Sequence, residues 1–366
     1  MKIAHVVDSM DVGGAETVVA QMCRLQREQG HAPCVYSIST LGLLGEQLRQ
    51  EGFQVDTHVG RGFIDSMRNF LRIFKALRPD VVHLHNPTPA VYAGVSARLA
   101  GVPSIVSTRH SLVAPPHRLM AELKYAVVAR FCDWIVGICE ATTDNIKSMR
   151  SIPAGKIVRV YNGAVPLRQV ARSEQPAKSG FTLVYVGRLV AVKNHALLLN
   201  AFREALQDLP QLRLWMVGDG GERPMLERLS AELGIAGKVT FWGQQLDVAP
   251  YFSAADAFIM SSKSEGLPIS LLQAFSLGLP AIVNDVGGMA EVVRLAHAGI
   301  AAPAGEAAGM AQAILKLAKD DRLREEYSRN AQAAFVSRFS LQTMVDEYMK
   351  LYLNRAKGPG INAGDG

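Results

Sequence analysis

The stretch "FTLVYVGRLVAVKNH", residues 181–195, contains the structural unit that decides the fold. Its first six residues are mostly apolar and rich in aromatic and β-branched side chains, which is typical of a strand buried on both faces. Gly187 ends this run, and the segment from His195 onward has the apolar spacing of an amphipathic helix. A buried strand, a glycine-containing turn and a helix together form the repeating element of a parallel α/β sheet.

The same alternation extends over almost the whole chain. Further strand-like runs are "KIAHVV", "APCVYSI", "PDVVHLH", "PSIVST" and "DWIVGI" in the first half, and "LRLWMVG", "KVTFWG", "AFIMSS" and "PAIVND" in the second. Helical patterns lie between them, such as "AETVVAQMCRLQREQG", in which Gly30 fits a C-terminal cap. The sequence therefore predicts an α/β fold of two Rossmann-like, doubly wound parallel-sheet domains facing a central cleft, with ligands at the carboxyl ends of the strands.

A segment rich in proline, glycine and polar residues, 160–180, separates the two sets of strands. The chain has 366 residues, of which 49% are hydrophobic, and this is enough for two globular cores. We therefore predict one domain over 1–165 and a second over 166–340. A last helix over 341–356 is expected to pack back on the first domain, and the polar tail 357–366 is expected to be disordered.

Basic charge is concentrated in the first half of the chain. Residues 1–170 carry 19 Lys and Arg against 13 Asp and Glu, which accounts for the whole net charge of +6. Such a surface attracts phosphates or an anionic membrane. No recognition motif or aromatic stacking pattern supports a nucleic-acid partner.

The sequence predicts a cytoplasmic protein. No run approaches the ~20 apolar residues of a membrane span, and "MKIAHVVDSM" is interrupted too soon by Asp8 to be a signal peptide. The cysteines lie in apolar segments without C-x-x-C spacing, which is typical of reduced core residues and argues against a zinc site. They are Cys23, Cys34, Cys132 and Cys139.

Glycine and charge follow the predicted strands, where a ligand would bind. Gly13 and Gly14 come after the first strand and open a helix, so their backbone N–H groups can approach an anion closely. This text is not G-x-G-x-x-G, so a nicotinamide dehydrogenase is not supported. Arg188 and Lys193 follow the strand in residues 181–186, where they could clamp a diphosphate, and Glu265 follows a later strand.

Taken together, "GRLVAVKN", "VGDG", "VTFWG", "SEGLPISLLQA" and "GLPAIV" resemble the family-4 retaining glycosyltransferases of the GT-B fold. The resemblance runs from "GGAE" to "AIVNDVGGMAEVV" and so covers nearly the whole chain. It implies transfer of a sugar from a nucleoside diphosphate sugar, with uridine favoured as the base and GDP left open. The acceptor would be a saccharide or lipid-linked hydroxyl in bacterial envelope or exopolysaccharide synthesis, and no cofactor is implied.

The resemblance also implies roles for individual residues. Arg188 and Lys193 would neutralise the diphosphate as the glycosidic bond breaks, Glu265 would accept hydrogen bonds from the donor sugar, and His110 would lie near the reacting sugar. The residues implied in donor binding are Gly13, Gly14, Gly243, Gln244, Gly266, Leu267, Pro268, Ile269 and Gln273. In the family the departing phosphate itself helps to deprotonate the acceptor.

A metal ion is not expected at this site. No Asp-x-Asp occurs in the sequence, so a metal-bridged diphosphate is not supported. His83 and His85 lie two apart on a strand and therefore share one face, which admits a metal site. The family has similar text there without metal, and we favour a structural role for these histidines.

Gln273 departs from the family pattern, which usually shows E-x7-E where this chain has Glu265 followed by Gln273. The second acid of that pattern accepts hydrogen bonds from both ribose hydroxyls. An amide offers one acceptor and one donor, so it can still serve the diol but without charge assistance. A nucleotide-sugar-binding protein without turnover therefore stays open as an alternative. A UDP-aminosugar epimerase of similar fold is a less favoured one, because it would need extra acid/base carboxylates and none stands out in the loops after the first-domain strands.

The segment "GFIDSMRNFLRIFKALRP" predicts a basic amphipathic helix. Arg68, Arg72 and Lys75 fall on one side, while Phe70 and Phe74 lie on another. We expect the apolar side to cover the sheet and the basic side to contact an anionic membrane peripherally, at the inner face of the cell membrane.

Overall fold

The computed structural model describes residues 1–58, 62–112, 119–149 and 152–354. These residues form two compact units. Unit 1 comprises Met1–Gly163 and the segment that begins at Leu341, and unit 2 comprises Ala164–Ser340. The tail that we expect to be disordered lies outside the described residues.

Each unit contains one parallel sheet with helices between successive strands. The described strands are β1 (Lys2–Val7), β2 (Ala32–Ser37), β3 (Gln54–Thr57), β4 (Val81–His85), β5 (Ser104–Arg109), β6 (Trp134–Gly137) and β7 (Ile157–Arg159) in unit 1, and β8 (Thr182–Val186), β9 (Arg213–Val217), β10 (Val239–Gly243), β11 (Ala257–Met260), β12 (Ala281–Asn284) and β13 (Gly299–Ala302) in unit 2. The described helices are α1 (Gly14–Glu28), α2 (Gly42–Gln50), α3 (Phe63–Leu77), α4 (Pro87–Leu99), α5 (Leu119–Ala129), α6 (Glu140–Ser148), α7 (His195–Asp208), α8 (Arg223–Glu232), α9 (Ala249–Ala254), α10 (Ile269–Ser276), α11 (Gly287–Ala296), α12 (Ala307–Lys319), α13 (Asp321–Ala334) and α14 (Leu341–Leu353).

The strand orders confirm the predicted α/β class with two Rossmann-like domains. The sheet of unit 1 runs β3-β2-β1-β4-β5-β6-β7, and that of unit 2 runs β10-β9-β8-β11-β12-β13. In each sheet the chain moves outward in one direction, returns to the centre and continues in the other. The points of reversal, between β1 and β4 and between β8 and β11, are the places where such sheets bind ligands.

Both faces of the unit 1 sheet are covered, as continuous apolar strands require. Phe70 and Phe74 of α3 are buried in the core cluster on one face, together with Val82 and Leu84 of β4. The cluster of the other face includes Cys23 of α1. The central strands are therefore rigidly held, and the residues that follow them have well-defined positions.

The last described helix, α14, belongs to unit 1 although it follows unit 2 in the chain. It packs against α1 and β5. The hydroxyl of Tyr348 is 2.9 Å from Oγ1 of Thr108, and that of Tyr352 is 2.7 Å from Nδ1 of His83. All four of these side chains are buried, so the hydrogen bonds replace contacts with water that burial removes.

Helix α3 shows the two sides that its sequence predicts. Phe70 and Phe74 are buried, whereas Arg68, Arg72 and Lys75 are exposed. Among the described residues, no helix has both the length and the apolar character needed to cross a bilayer.

Candidate functional site

The turn after β8 holds Arg188 at the carboxyl end of the unit 2 sheet. The hydroxyl of Tyr185 donates to the carbonyl of Arg188 at 3.0 Å, and the N–H of Leu189 donates to the carbonyl of Asp219 at 2.9 Å. The Arg188 side chain itself is exposed and forms no ion pair or hydrogen bond with another described residue. A fixed backbone with an uncommitted guanidinium suits an arginine that binds an anionic ligand.

Lys193, later in the same turn, forms an ion pair with Glu265 in the loop after β11. The side chains are only 16% and 15% exposed. The two loops are also joined through Ser261, whose hydroxyl lies 3.0 Å from the carbonyl oxygens of both Lys193 and Asn194. Because partly desolvated charges attract each other more strongly than surface charges, each side chain holds the other in place.

The loop that carries Glu265 continues into α10. Gly266 and Leu267 are buried, Pro268 caps the helix, and Ile269 is its first residue. These four residues, which the sequence predicts to bind the donor, directly follow Glu265 and lead into a helix N-terminus, where backbone N–H groups are available to an anion.

Gln273 lies on α10 between two buried residues. Leu272 and Ala274 are fully buried, whereas Gln273 is partly exposed. No described residue forms a hydrogen bond with its side-chain amide. A polar group at this point of an apolar helix is therefore left available for a ligand, and the core does not use it.

Gly243 and Gln244 lie two strands away from β8, on the side opposite β11. Gly243 is the last residue of β10, and Gln244 is exposed. The carbonyl of Gly243 accepts a hydrogen bond of 2.8 Å from the N–H of Gly218, the residue after β9. Gly218 has a φ of 136°, and a Cβ there would lie 1.9 Å from the carbonyl oxygen of Gly187. Only glycine permits the ends of β8, β9 and β10 to pack this closely.

In unit 1, Gly13 and Gly14 lie after β1, which borders that sheet's point of reversal. Gly13 is the N-cap residue of α1, and Gly14 is the first residue of the helix. A Cβ added to Gly14 would have no protein atom within 4 Å. Packing within the protein therefore does not require glycine there, and the open space would admit a ligand close to the backbone.

His110 directly follows β5. Its backbone N–H donates to Oδ1 of Asn86 at 3.1 Å, and Nε2 of its ring lies 3.0 Å from Nδ1 of His85. The other ring nitrogen, Nδ1, is buried and has no hydrogen-bond partner among the described residues. The imidazole is thus held by its backbone and one nitrogen, and the second nitrogen is not used by the described part of the protein.

The contact between His110 and His85 belongs to a longer network. Nε2 of His85 lies 3.0 Å from Nδ1 of His5, and Nε2 of His5 lies 2.9 Å from Oε1 of Gln26. The rings of His83 and His85 are in contact, with centroids 4.0 Å apart. Side chains of β1, β4 and α1 are thus connected to His110, the residue after β5.

His5, His83 and His85 bring ring nitrogens within 4.8 Å of one another, which is close enough to hold a metal ion. All six of their nitrogens already take part in hydrogen bonds, to Gln26, Tyr352, Thr108, His110 or each other. Because a metal ligand needs a free lone pair, this arrangement favours the structural interpretation of His83 and His85.

Burial keeps these imidazoles uncharged at neutral pH. It lowers the pKa of His5 and of His110 to about 4 each, and it lowers the pKa values of His83 and His85 well below the ordinary 6.5. For His83 and His85 the neighbouring histidines lower the pKa further. Each ring is therefore a neutral group with one donor nitrogen and one acceptor nitrogen.

Some of the predicted site residues are in contact in the structure, and others are not. Lys193 and Glu265 are in direct contact, and Arg188 lies in the turn that Lys193 ends, whereas Gly243 and Gln244 lie at a more distant strand. Sequence reasoning missed Asn86, His5 and Gln26. Asn86 has a φ of 76°, which is uncommon for a residue other than glycine, and the sequence gives no sign of it.

Two family models match the chain, one in each half. Residues 12–166 match "Glycosyltransferase Family 4", and residues 168–334 match "Glycosyl transferases group 1". Similar curated proteins include the lipopolysaccharide core biosynthesis glycosyltransferase LpsE of Rhizobium meliloti, 32% identical over 50% of this chain and 53% of the relative. LpsD of the same organism is also 32% identical, over 54% of this chain and 57% of its own length, so the match spans little more than half of either relative.

A longer match is the UDP-Gal:alpha-D-GlcNAc-diphosphoundecaprenol alpha-1,3-galactosyltransferase of Escherichia coli, 25% identical over 80% of each chain. Among solved structures, the Anabaena protein Alr3699/HepE in complex with UDP has a TM-score of 0.83 and 19% identity, covering 96% of this chain and 99% of its own. WaaG, a glycosyltransferase involved in lipopolysaccharide biosynthesis, has a TM-score of 0.73 and 16% identity, covering 97% and 100%. These similarities show the GT-B fold.

Proposed function

Since the chain belongs to the group 1 glycosyltransferases, we propose that it moves a sugar from a nucleoside diphosphate sugar to an acceptor hydroxyl, with retention of anomeric configuration and without a metal ion. The observation that carries the proposal is the Lys193–Glu265 ion pair, in the loops after β8 and β11, with Arg188 uncommitted in the same turn. It combines positive charge for a diphosphate with a carboxylate for sugar hydroxyls at the point of strand reversal.

The donor proposed is a UDP-sugar. The Anabaena structure contains UDP, and the name of the Escherichia coli relative includes UDP-Gal. Gly243 and Gln244 are available to the base, since the former ends a strand and the latter is exposed. Gln273 is available to the ribose. A GDP-sugar is the alternative donor.

Arg188 and Lys193 act on the diphosphate. When the bond between the sugar and the diphosphate breaks, negative charge grows on the departing oxygen, and two preorganised cations stabilise that charge in the transition state. Glu265 accepts hydrogen bonds from donor hydroxyls and orients Lys193 through the ion pair. The reaction thus uses groups that are already positioned in the absence of substrate.

Retention follows if the acceptor approaches the face of the sugar that the diphosphate leaves. The acceptor oxygen forms the new bond to the anomeric carbon, the old bond to the phosphate oxygen breaks, and that oxygen takes the acceptor's proton. His110 lies beside the reacting sugar in this scheme. It is a neutral imidazole there, because burial lowers its pKa to about 4.

The acceptor proposed is a saccharide or lipid-linked hydroxyl in envelope or exopolysaccharide synthesis. LpsE and LpsD are named for lipopolysaccharide core biosynthesis, and the Escherichia coli relative for a diphosphoundecaprenol acceptor. We also propose that the protein works in the cytoplasm at the inner face of the cell membrane, through the exposed basic side of α3.

A second candidate function rests on Gln273. A protein whose ribose contact lacks a carboxylate could bind the nucleotide sugar without turning it over. We favour the enzyme, because Arg188, Lys193 and Glu265 are all present and Gln273 is proposed to touch only the ribose.

A panel of UDP- and GDP-sugars tests the proposal. The purified protein is incubated with each donor, with and without EDTA, and nucleotide release and sugar products are measured, with Lys193→Ala as the matched inactive control. We expect release from one UDP-sugar that EDTA does not abolish and that Lys193→Ala lowers about 100-fold. Tight binding of the nucleotide without release from any donor would favour the binding protein, and an epimerised UDP-aminosugar would favour the epimerase.

A further inference from the structure

The hydrogen-bonded network that ends at His110 has a direction. Oε1 of Gln26 can only accept a hydrogen bond, so Nε2 of His5, 2.9 Å away, carries the hydrogen. A neutral imidazole has one N–H, so Nδ1 of His5 is then an acceptor. Nε2 of His85, 3.0 Å from it, must therefore be the donor of that bond.

The same reasoning continues to the end of the network. With the hydrogen of His85 on Nε2, its Nδ1 is an acceptor. His110 then donates from Nε2 to His85 across 3.0 Å. What remains is Nδ1 of His110, the buried nitrogen that has no partner among the described residues, and it carries a bare lone pair.

We propose that Gln26 is a positioning residue, which acts through His5 and His85 to fix His110 in the tautomer that has hydrogen on Nε2 and a free lone pair on Nδ1. The proposal rests on the proposed function, in which His110 contacts the donor sugar. In this tautomer Nδ1 accepts a hydrogen bond from a sugar hydroxyl and cannot donate one. Gln26 lies on α1 and touches no substrate in this scheme.

Reversal of the network is unfavourable because of burial. If all three histidines carried the hydrogen on Nδ1 while Gln26 kept Oε1 toward His5, two lone pairs would face each other between His5 and Gln26. Both of those side chains are fully buried, so water cannot relieve the repulsion. One amide oxygen therefore biases three rings in succession.

The packing around the three imidazole rings restricts their rotation, so a ring cannot exchange the positions of its two nitrogens. His85 meets His5 and His110 edge to edge, with ring centroids 5.3 Å apart in each pair, and the ring of His83 packs against His5 and His85 with centroids 5.4 Å and 4.0 Å away. The backbone of His110 is held by Asn86. Burial of His5 and His85 and these contacts hold the rings in the orientation that the hydrogen bonds require.

The tautomers can be measured directly in the protein without substrate. Long-range ¹H–¹⁵N correlation spectra of ¹⁵N-histidine-labelled protein at neutral pH distinguish the two ring nitrogens, and single His→Gln variants provide the assignments. We expect His5, His85 and His110 each to carry the hydrogen on Nε2. Hydrogen on Nδ1 in these rings, or a mixture at His110, overturns the proposal.

Gln26→Met tests the origin of the bias, because it removes the acceptor and keeps the length of the side chain. Gln21→Met, on the same helix, is the matched control, since Oε1 of Gln21 has no hydrogen-bond partner among the described residues. We expect Gln26→Met to give mixed tautomers at His85 and His110 and to lower kcat/KM for the donor about 10-fold or more. We expect Gln21→Met to leave the tautomers and kcat/KM unchanged.

The two measurements separate this inference from the proposed function. If the wild-type protein transfers no sugar, the proposed function fails while the spectra still decide the tautomers. If the wild-type protein is active and Gln26→Met keeps its tautomers, or loses them without a change in kcat/KM, Gln26 does not position His110.

Discussion

At the scale of single residues, Gln273 is the sharpest departure from the family pattern. Gln273→Glu would restore a group with two acceptor oxygens for a vicinal diol. Charge assistance contributes about 1 kcal/mol, so we expect the Kd for UDP to fall by less than 10-fold. We expect turnover at saturating donor to stay nearly unchanged, because ribose contacts bind ground state and transition state alike. Calorimetry with UDP, paired with donor kinetics, measures both.

Gln332→Glu gives a control for this substitution, since it adds the same charge to α13 of unit 2. We expect it to leave the affinity for UDP unchanged. Activity that appears only in Gln273→Glu would contradict our preference for the enzyme and identify the natural chain as a binding protein.

Arg188 and Lys193 are expected to act mainly in the transition state. Arg188→Ala and Lys193→Ala should each lower kcat/KM about 100-fold or more, because each removes a cation from the breaking bond. Arg203→Ala, an exposed arginine of α7, is the control and should have little effect. Steady-state kinetics with a verified donor, together with thermal unfolding, checks both statements.

The two substitutions should differ in stability. Arg188 is exposed and has no ion-pair partner among the described residues, so its loss should leave the free energy of unfolding nearly unchanged. Lys193→Ala leaves Glu265 largely desolvated without its cation, and this variant should be the less stable of the two. Near-normal activity of either variant would contradict the diphosphate assignment.

Individual residues also show why the site could be predicted only in part. Lys193 and Glu265 follow strands, and the ends of parallel strands meet at one edge of a sheet, so their proximity could be expected from the sequence. The neighbours of His5 depend on register. His5 lies beside His83 because β1 and β4 pair in one particular register. A shift of one residue would turn these side chains to opposite faces, and the sequence alone does not specify the register.

At the scale of elements, α3 carries the proposed membrane contact. Its exposed Arg68, Arg72 and Lys75 should each contribute roughly 1 kcal/mol to binding an anionic bilayer at low ionic strength. We expect the protein to float with vesicles that contain anionic lipid and not with neutral ones. The triple substitution to Ala should reduce this binding about 100-fold.

A matched triple substitution of Lys316, Lys319 and Arg322 removes the same charge from exposed positions of unit 2. It should reduce flotation far less than the α3 variant. Equal losses in the two variants would mean that net charge, and not α3, governs the attraction, and absence of wild-type binding at low salt would remove the membrane proposal.

The elements that the sequence predicts well are those buried on both sides. The five residues of β4 and the six of β5 are all buried, and both strands contain the β-branched residues that are typical of strands. Three strands were missed, namely β3, β7 and β13, and each lies at the edge of its sheet. Each has only three or four residues. Gln54–Thr57 and Ile157–Arg159 include polar or charged residues, and Gly299–Ala302 consists mainly of glycine and alanine, which are depleted in strands.

At the scale of the whole molecule, the chain leaves unit 1, forms unit 2 and returns to unit 1 with α14. Tyr352→Phe tests what this return contributes. It leaves Nδ1 of His83 buried without its hydrogen-bond partner, and we expect a loss of about 1–3 kcal/mol in the free energy of unfolding. Urea denaturation measures the loss. Tyr327→Phe, on partly exposed α13, is the control and should change the free energy of unfolding little. Equal losses in the two variants would mean that the hydrogen bond to His83 makes no specific contribution to stability.

The buried histidines also make the stability of the molecule depend on pH. The pKa of His5 is about 4 in the folded protein and 6.5 in an unfolded chain. Between these values the unfolded chain binds a proton that the folded chain does not, so the free energy of unfolding falls as the pH falls from 6.5 toward 4. The loss from His5 alone should reach about 2 kcal/mol at pH 5.

His110, His83 and His85 should also lower the free energy of unfolding as the pH falls, because burial lowers their pKa values too. Denaturation curves between pH 7.5 and pH 5 should therefore show stability declining below pH 6.5, before most carboxylates titrate. His5→Gln isolates one contribution, because glutamine is polar but does not titrate, and its stability should decline less steeply than that of the wild-type protein. Parallel declines in the two proteins would mean that His5 is not held neutral in the folded state. In that case His5 would carry hydrogen on both ring nitrogens and could not accept a hydrogen bond from His85, as the proposed tautomers require.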